Sequence, residues 1–278
     1  MERIRRSWQL VKASWGVLRA DKELLLYPVS SGIVTFVAVV ALGLVWIGSG
    51  GLDRVGDESF GILDLVLIYV FYFVVSTVVV FCNSALIAAA NIRLEGGDPT
   101  LSDGFRIALS HIWAILGWAA IAATVGLILQ LLRERGGAAG AIVSLIGNMA
   151  WSLVTFLVVP ILVVEGVSPI EAIKRSAFLL RKSWGEQIVG NFSIGLVIGL
   201  AFVGVLIVGG ALTFALFSLS AALGVVALLT LIAGLIVLGL IGSALSGIFN
   251  VALYRYAVGE DSSRFFPQET LAGAFRQK

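Results

Sequence analysis

The stretch EGVSPIEAIKRSAFLLRKSWG, residues 165–185, contains two patterns that occur earlier in the chain. Its first part has the pattern EGxxP at 165–169, which matches EGxxP at 95–99. Its second part has the pattern RSxxLxRxSWG at 175–185, which matches RSxxLxKxSWG at 6–16 without a gap. The stretch therefore joins two internal copies of one unit, which we interpret as a basic amphipathic helix followed by two membrane spans.

The composition indicates that most of this chain is surrounded by lipid. The 278 residues are 59% hydrophobic and 13% charged, whereas a soluble domain is about 25% charged. A bilayer core of ~30 Å needs about 20 helical residues, and several apolar runs reach that length. Because these runs are continuous rather than alternating, they favour helices over a β-barrel. The sequence predicts an all-α fold, a polytopic transmembrane helical bundle.

Six spans are predicted, at about 24–48, 61–90, 112–132, 138–164, 188–217 and 223–258. The stretch 188–254 has no charged residue, and we place its break near 218–222. The spans form three repeats of amphipathic helix plus two transmembrane helices, at about 1–93, 94–165 and 166–258. With a cytoplasmic tail at 259–278, they make one integral membrane domain, 1–278.

Two segments, one before span 1 and one between spans 4 and 5, read as helices that lie on the membrane surface, with Trp at the depth of the headgroups. In 1–23 the apolar face comprises Ile4, Trp8, Val11, Trp15 and Leu18. In 169–184 it comprises Ile170, Ile173, Ala177, Leu180 and Trp184. A solvated basic leader that only sets topology is the alternative for 1–23. A shorter amphipathic helix is expected near 101–109.

The distribution of basic residues predicts the orientation. With six spans and the amino terminus inside, the inner segments hold 16 Lys and Arg residues and the outer loops hold three, which together make the 19 of the chain. Such a bias is typical of cytoplasmic loops. We therefore expect a multi-pass protein of the cell membrane with both termini cytoplasmic, and we expect no cleavable signal peptide.

The basic and aromatic residues of the two surface helices are candidate ligands for anionic lipid headgroups: Arg6, Lys12, Trp15, Arg175, Arg181 and Trp184. Each basic residue near an anionic surface contributes about 1 kcal/mol. Simple anchoring of the helices is the alternative to specific lipid binding. Anionic lipid is a more plausible partner for these residues than nucleic acid. At the end of span 6, Arg255 is expected to extend inward to the headgroups.

Other polar residues are expected to fix the structure. Glu95, Pro99, Glu165 and Pro169 hold the two EGxxP loops, and Glu165 has Arg175, Arg181, Lys182 or a basic residue of another unit as candidate partners. Asn83, Asn148, Asn191 and Asn250 lie in or near spans, where they can form hydrogen bonds between helices or line a polar cavity. The pattern NxALxxxA at 83–90 recurs at 250–257, which makes Asn83 and Asn250 pseudo-symmetric.

No motif for catalysis, a metal or a cofactor is evident. The chain has one Cys, Cys82, and one His, His111, and it lacks a P-loop, a nucleophile elbow and an HExxH pattern. Spans 5 and 6 are rich in glycine, including GxxxG at 195–199. Such small residues allow close helix packing within one chain or between two copies in a homo-oligomer.

The motifs together resemble those of a prokaryotic family of six-span integral membrane proteins with a domain of unknown function. The resemblance rests on RSWxLxKxSWxVLRxDKELLLYP at 6–28, on NxAL at 83–86 and on PxLVVEGVSPxEAIKRSAFLLRKSWGE at 160–186. The arrangement is loosely similar to YciC-like proteins and to membrane domains of glycerophosphodiester phosphodiesterases. The resemblance implies the six-span topology and no particular activity.

Three functions stay open at this point. The favoured one is a non-enzymatic membrane protein that engages lipid or membrane partners through basic helices at the inner face. A transporter or pore for a small or amphipathic molecule is the second, and a lipid-modifying enzyme is the third. A polar cavity that reaches the middle of the bilayer would favour transport, whereas acids or a His beside a headgroup pocket would favour an enzyme.

Overall fold

The computed structural model describes residues 2–51, 61–184, 193–260 and 266. In this part of the chain the regular elements are helices, and a 3₁₀ turn at Lys22–Leu25 connects the first two. The α-helices are α1 Glu2–Ala20, α2 Leu26–Gly48, α3 Ile62–Leu94, α4 Leu101–Ser110, α5 Ile112–Arg135, α6 Gly137–Val154, α7 Val158–Val164, α8 Pro169–Trp184, α9 Ser193–Leu219 and α10 Ala221–Val258.

Six helical segments are long and apolar enough to cross a membrane, which confirms the predicted all-α, six-span bundle. They are Lys22–Gly48, Ile62–Leu94, Ile112–Arg135, Ala139–Val164, Val197–Leu219 and Ala221–Val258. The break predicted near 218–222 is also confirmed, because α9 ends at Leu219 and Ser220 precedes α10. The second span extends to Leu94, four residues beyond the predicted end.

The chain forms two compact units. The terminal unit consists of Met1–Leu25, Ala90–Asp98 and Ser183–Lys278, and the central unit consists of Leu26–Ala89 and Pro99–Lys182. The terminal unit thus contains α1, α9 and α10, and the central unit contains α2, α4 to α7 and most of α3 and α8.

The three short helices α1, α4 and α8 each precede a pair of spans in the sequence. In the central unit, α4 packs on the pair before it, because the Phe105 ring lies 5.1 Å from that of Tyr27 and 5.9 Å from that of Phe81. The helix α8 likewise packs on its preceding pair, through contacts described below. In the terminal unit, α1 packs against α9 and α10, the last pair of the chain.

The fourth span is two helices, whereas a single helix over 138–164 was predicted. The helix α6 ends at Val154, and α7 begins at Val158. Pro160 lies three residues into α7, has no amide hydrogen and cannot bond to the carbonyl of Phe156. The loss of this hydrogen bond, together with the crowding of the proline ring, explains why the helix is interrupted just before Pro160.

Left-handed glycines follow the ends of several spans. Gly96 has a φ angle of 94°, Gly166 of 67° and Gly259 of 86°, and they follow α3, α7 and α10. Side chains with a Cβ rarely adopt this conformation, which commonly terminates helices. The EG pair of the two EGxxP loops therefore has a physical basis: the glutamate ends the helix and the glycine reverses the chain.

The proline of the EGxxP pattern does not hold an equivalent position in the two loops. Pro99 precedes the N-cap Thr100 of α4, whereas Pro169 is the first residue of α8. Counted from the first residue of the following helix, the positions of the two prolines differ by two residues. The division into three sequence repeats stays a prediction.

Candidate functional site

The helix α1 is buried on one side and carries a row of exposed residues, two of them basic, on another. Its buried residues within the described side chains are Leu10, Val11, Ser14, Val17 and Leu18. Lys12, Trp15 and Arg19 are exposed, and their spacing of three and four residues places them on one side of the helix. The Trp15 side chain is 44% exposed between two cations.

The predicted apolar face of α1 is only partly correct. Val11 and Leu18 are buried as that face requires, but Trp15 is exposed. The side chains of Ile4, Arg6 and Trp8 lie outside the described residues. The apolar periodicity assigned residues from two sides of α1 to one face. One side packs on protein, and the other presents the indole ring of Trp15.

The helix α8 has the same construction in the central unit. Its buried residues are Ala172, Ser176, Leu179 and Leu180. Lys174, Phe178 and Arg181 are exposed along one side. Ile170, which was assigned to the apolar face, is exposed, and the side chain of Trp184 lies outside the described residues.

The matched positions of α1 and α8 agree in burial. In the register of the RSxxL pattern, Leu10 and Leu179 are both buried, Val11 and Leu180 are both buried, and Lys12 and Arg181 are both exposed. The sequence match thus places the same faces inward and outward in the two helices.

Ser176 ties α8 to the interruption of the fourth span. Its hydroxyl oxygen accepts a hydrogen bond from the backbone N–H of Leu157 at 3.2 Å, and the bond is buried. Leu157 is the residue before α7. Close approach at the start of α8 is also allowed by Gly117, since a Cβ there would lie 3.1 Å from Pro169 Cγ.

The helix α4 begins with a capping box and approaches the spans closely. Thr100 and Asp103 exchange backbone and side-chain hydrogen bonds, and these bonds to Thr100 lower the pKa of the Asp103 carboxyl. The Tyr27 hydroxyl donates to the carbonyl of Leu101 at 3.1 Å. A Cβ on Gly104 would overlap this hydroxyl and lie 2.6 Å from the carbonyl oxygen of Ala85.

Glu165 pairs with Arg175, one of the partners considered for it. The Nε atom of Arg175 lies 3.3 Å from Glu165 Oε1, and the arginine side chain is 44% exposed. The following Gly166 packs close to His111, because a Cβ there would lie 3.3 Å from His111 Cε1. Arg175 therefore has a carboxylate beside it, in contrast to the exposed Arg181.

Arg255 is buried in the terminal unit, which corrects the expectation that it extends to the headgroups. Its side chain is 8% exposed and its Nη1 contacts Glu95 at 2.8 Å, Glu260 at 3.3 Å and Asn91 at 3.0 Å. Asn91 in turn donates to Glu95 at 2.9 Å. Glu95 thus fixes the end of α3 to the end of α10, a connection of 160 residues in sequence.

Arg93 makes a second polar connection that sequence reasoning missed. Its guanidinium donates to Asp98 at 2.6 Å and to the backbone carbonyl of Ala20 at 3.1 Å. The neighbouring Asp21 is buried, and burial raises the pKa of its carboxyl. The available signal was the position of Arg93 in the last turn of α3, where a cation is favoured by the helix dipole.

The asparagines are placed as follows. Asn148 donates to the backbone carbonyl of Ser144 in its own helix at 2.8 Å. Asn83 and Asn250 are half-buried, and the buried Oδ1 of Asn250 accepts no hydrogen bond from the described part of the chain. Asn191 lies outside the described residues. Hydrogen bonds between helices from these residues stay a prediction.

These features define the class of the protein: a polytopic helical bundle with six candidate membrane-spanning helices and short helices packed on the spans. The chain belongs to the DUF6159 family, a family of unknown function, which matches residues 62–264. No curated protein and no solved structure matched the chain. The likeness to YciC-like proteins and phosphodiesterase membrane domains gains no support from these comparisons.

Proposed function

We propose that this protein resides in the cell membrane and binds anionic lipid headgroups through α1 and α8, without catalysing a reaction. The observation that carries the proposal is the exposed row Lys12, Trp15 and Arg19 on a helix whose opposite face is packed on spans. Trp prefers the membrane interface, and the two cations beside it suit phosphate groups at the same depth.

The helix α8 supports the same function through Lys174, Phe178 and Arg181. All three are exposed, and the aromatic ring lies between the two cations along the helix. Arg181 matches Lys12 in the repeated pattern. Arg175 contributes less in this proposal, because Glu165 already compensates its charge. Lipid binding is therefore assigned mainly to Lys12, Arg19, Lys174 and Arg181, with the aromatic residues Trp15 and Phe178.

The orientation belongs to the same proposal. The charge bias of 16 inner to three outer basic residues places α1, α4 and α8 on the cytoplasmic side together with both termini. Cytoplasmic leaflets rich in anionic lipid have a negative surface potential that attracts such residues at about 1 kcal/mol each. The packing of α1 on α9 and α10 supports a fixed depth for its cations, and the packing of α8 on its preceding spans supports the same for Lys174 and Arg181.

Native mass spectrometry of the detergent-purified protein, titrated with phosphatidylglycerol or phosphatidylcholine, tests the proposal. The double variant Lys12→Gln/Arg181→Gln should bind phosphatidylglycerol up to roughly thirtyfold more weakly, which corresponds to about 1 kcal/mol per charge. Its binding of phosphatidylcholine should not change.

The matched control is Arg133→Gln/Arg135→Gln. It removes the same number of cations from two exposed positions at the predicted outer side, and it should bind phosphatidylglycerol like the natural protein. Equal losses in the two double variants, or equal affinity for the two lipids, would overturn the assignment of the site.

A further inference from the structure

A cavity of about 480 Å³ lies between α2, α3 and α5 in the central unit. Apolar side chains make up most of its wall, among them Leu42, Ile68, Phe71, Leu127 and Leu131. Small-molecule sites typically have volumes of about 300–1,000 Å³ and combine an apolar wall with a few polar groups. This cavity has both properties, since Trp46, Tyr72, Gln130 and Glu134 also line it.

The charge of the cavity is negative. Glu134 is the one acidic or basic side chain among the described residues that line it. Gln130 donates a hydrogen bond to Glu134, one turn later in α5, and so orients the carboxylate. Glu134 is exposed, as are its sequence neighbours Arg133 and Arg135, but neither arginine lines the cavity.

The position of Glu134 in α5 adds to the negative potential at this end of the cavity. It lies in the last turn of the helix, where the backbone carbonyls carry a partial negative charge. Leu127, Gln130, Leu131 and Glu134 follow the spacing i, i+3, i+4, i+7 and therefore lie on one face. This face runs from an apolar half to a polar end that attracts a cation.

We propose that this cavity binds an organic cation with an apolar body, such as a lipophilic ammonium or phosphonium compound. Glu134 pairs with the cationic centre at the exposed end of the cavity, and the rings of Trp46 and Tyr72 add cation–π attraction beside the apolar wall. The apolar body of the ligand replaces lipid or water against Ile68, Phe71 and Leu127. The site involves none of the residues assigned to anionic lipid.

Calorimetric titration of the full-length protein in neutral detergent with tetraphenylphosphonium tests the proposal, and triphenylphosphine oxide serves as the uncharged probe. The variant Glu134→Gln should bind tetraphenylphosphonium about fivefold more weakly, as expected for loss of a half-screened charge pair. Its affinity for triphenylphosphine oxide should not change. The neighbouring variant Arg133→Gln should bind the cation at least as tightly as the natural protein.

A cavity-filling variant tests the location. Gly43 lines the cavity in α2, and an added Cβ there would have no atom within 4 Å. Gly43→Leu should therefore fold and should abolish binding of both probes. Gly32→Leu is the matched control, because Gly32 lies in the same helix with the same free space but outside the cavity wall.

Three results would overturn the proposal. Absence of tetraphenylphosphonium binding to the natural protein would exclude the site, and unchanged binding in Gly43→Leu would place the ligand elsewhere. A ratio of cation to neutral affinity that is the same in Glu134→Gln and the natural protein would exclude the role of the carboxylate.

Discussion

The two helices of the fourth span contain the same kinds of large aliphatic side chain in opposite surroundings. In α7, Val158, Ile161 and Leu162 are completely buried, whereas in α6 Ile142, Leu145 and Ile146 are exposed on the outside of the protein. The half that is buried is the half next to the hydrogen bond between Ser176 of α8 and the backbone of Leu157.

The difference shows that hydropathy alone does not decide which residues pack in this protein. Lipid chains are as apolar as Leu or Ile, so burial of an apolar residue against another helix gains little over burial in lipid. Close fit and hydrogen bonds decide instead. In the central unit, the short helices α4 and α8 supply both.

The largest expected difference in the free energy of unfolding is between two variants that each truncate one isoleucine, one in α7 and one in α6. Ile161→Ala should reduce the free energy of unfolding by about 2–5 kcal/mol, because it leaves a cavity at a fully buried position. Ile146→Ala, at a position that is 61% exposed, should change it by at most about 0.5 kcal/mol. Unfolding by denaturing detergent in mixed micelles, followed by circular dichroism, measures both values.

Equal losses in the two variants would contradict the comparison, since they would mean that α6 is packed as tightly as α7. A second protein chain covering α6 would produce that result. Repeating the measurement at several protein concentrations identifies this case, because stabilisation by association depends on concentration.

A smaller effect is expected from adding one methyl group at a glycine. Gly104→Ala should destabilise the protein by about 1–3 kcal/mol, because the new Cβ would overlap the Tyr27 hydroxyl and the Ala85 carbonyl. Gly126→Ala, in α5, meets no atom within 4 Å and should be neutral or stabilising by up to about 1 kcal/mol. The melting temperatures of the two variants in detergent should therefore move in opposite directions, or only that of Gly104→Ala should fall.

The smallest effect concerns the cap of α4. Its hydrogen bonds to Thr100 lower the pKa of Asp103, so the folded state favours the ionised carboxylate. That contribution to stability is complete above the pKa of the unfolded chain, about 3.9, and is lost as the pH falls through the lower pKa of the folded state. The melting temperature of Asp103→Asn should therefore lie below that of the natural protein at pH 7, and the difference should shrink at pH 3. A constant difference over this range would show that the carboxylate charge has no part in the cap.

The sequence was sufficient for the parts of the fold that depend on length and local conformation. Run length predicted the six spans, and the break at Ser220 followed from small polar residues between two apolar runs. The interruption at 155–157 was also visible in principle, because Pro160 lies inside the predicted span. The hydrogen bond between the Leu157 backbone and the Ser176 hydroxyl could not be predicted, since it joins residues that are 19 apart in sequence and meet only when the chain folds.

The candidate site was less predictable for a physical reason. A helix that contacts protein on one side and a membrane surface on the other can be apolar on both, so periodicity could not assign Trp15 to the exposed side. Charge placement likewise suggested an exposed Arg255, whereas Glu95, distant in sequence, brings the guanidinium into the terminal unit. The cavity beside Glu134 requires three helices from separate segments, and only the LxxQLxxE spacing of 127–134 hinted at it.

The packing of α1 on α9 and α10 imposes an order on biosynthesis. The buried residues of α1, from Leu10 to Leu18, leave the ribosome before α9 and α10 do, and the last helix they contact begins at Ala221. At roughly 5–20 residues per second, about 10–40 s pass between the two. During that time the apolar face of α1 has no docking site among α9 and α10, so this face must be held by the bilayer surface or by a chaperone until α10 has been synthesised.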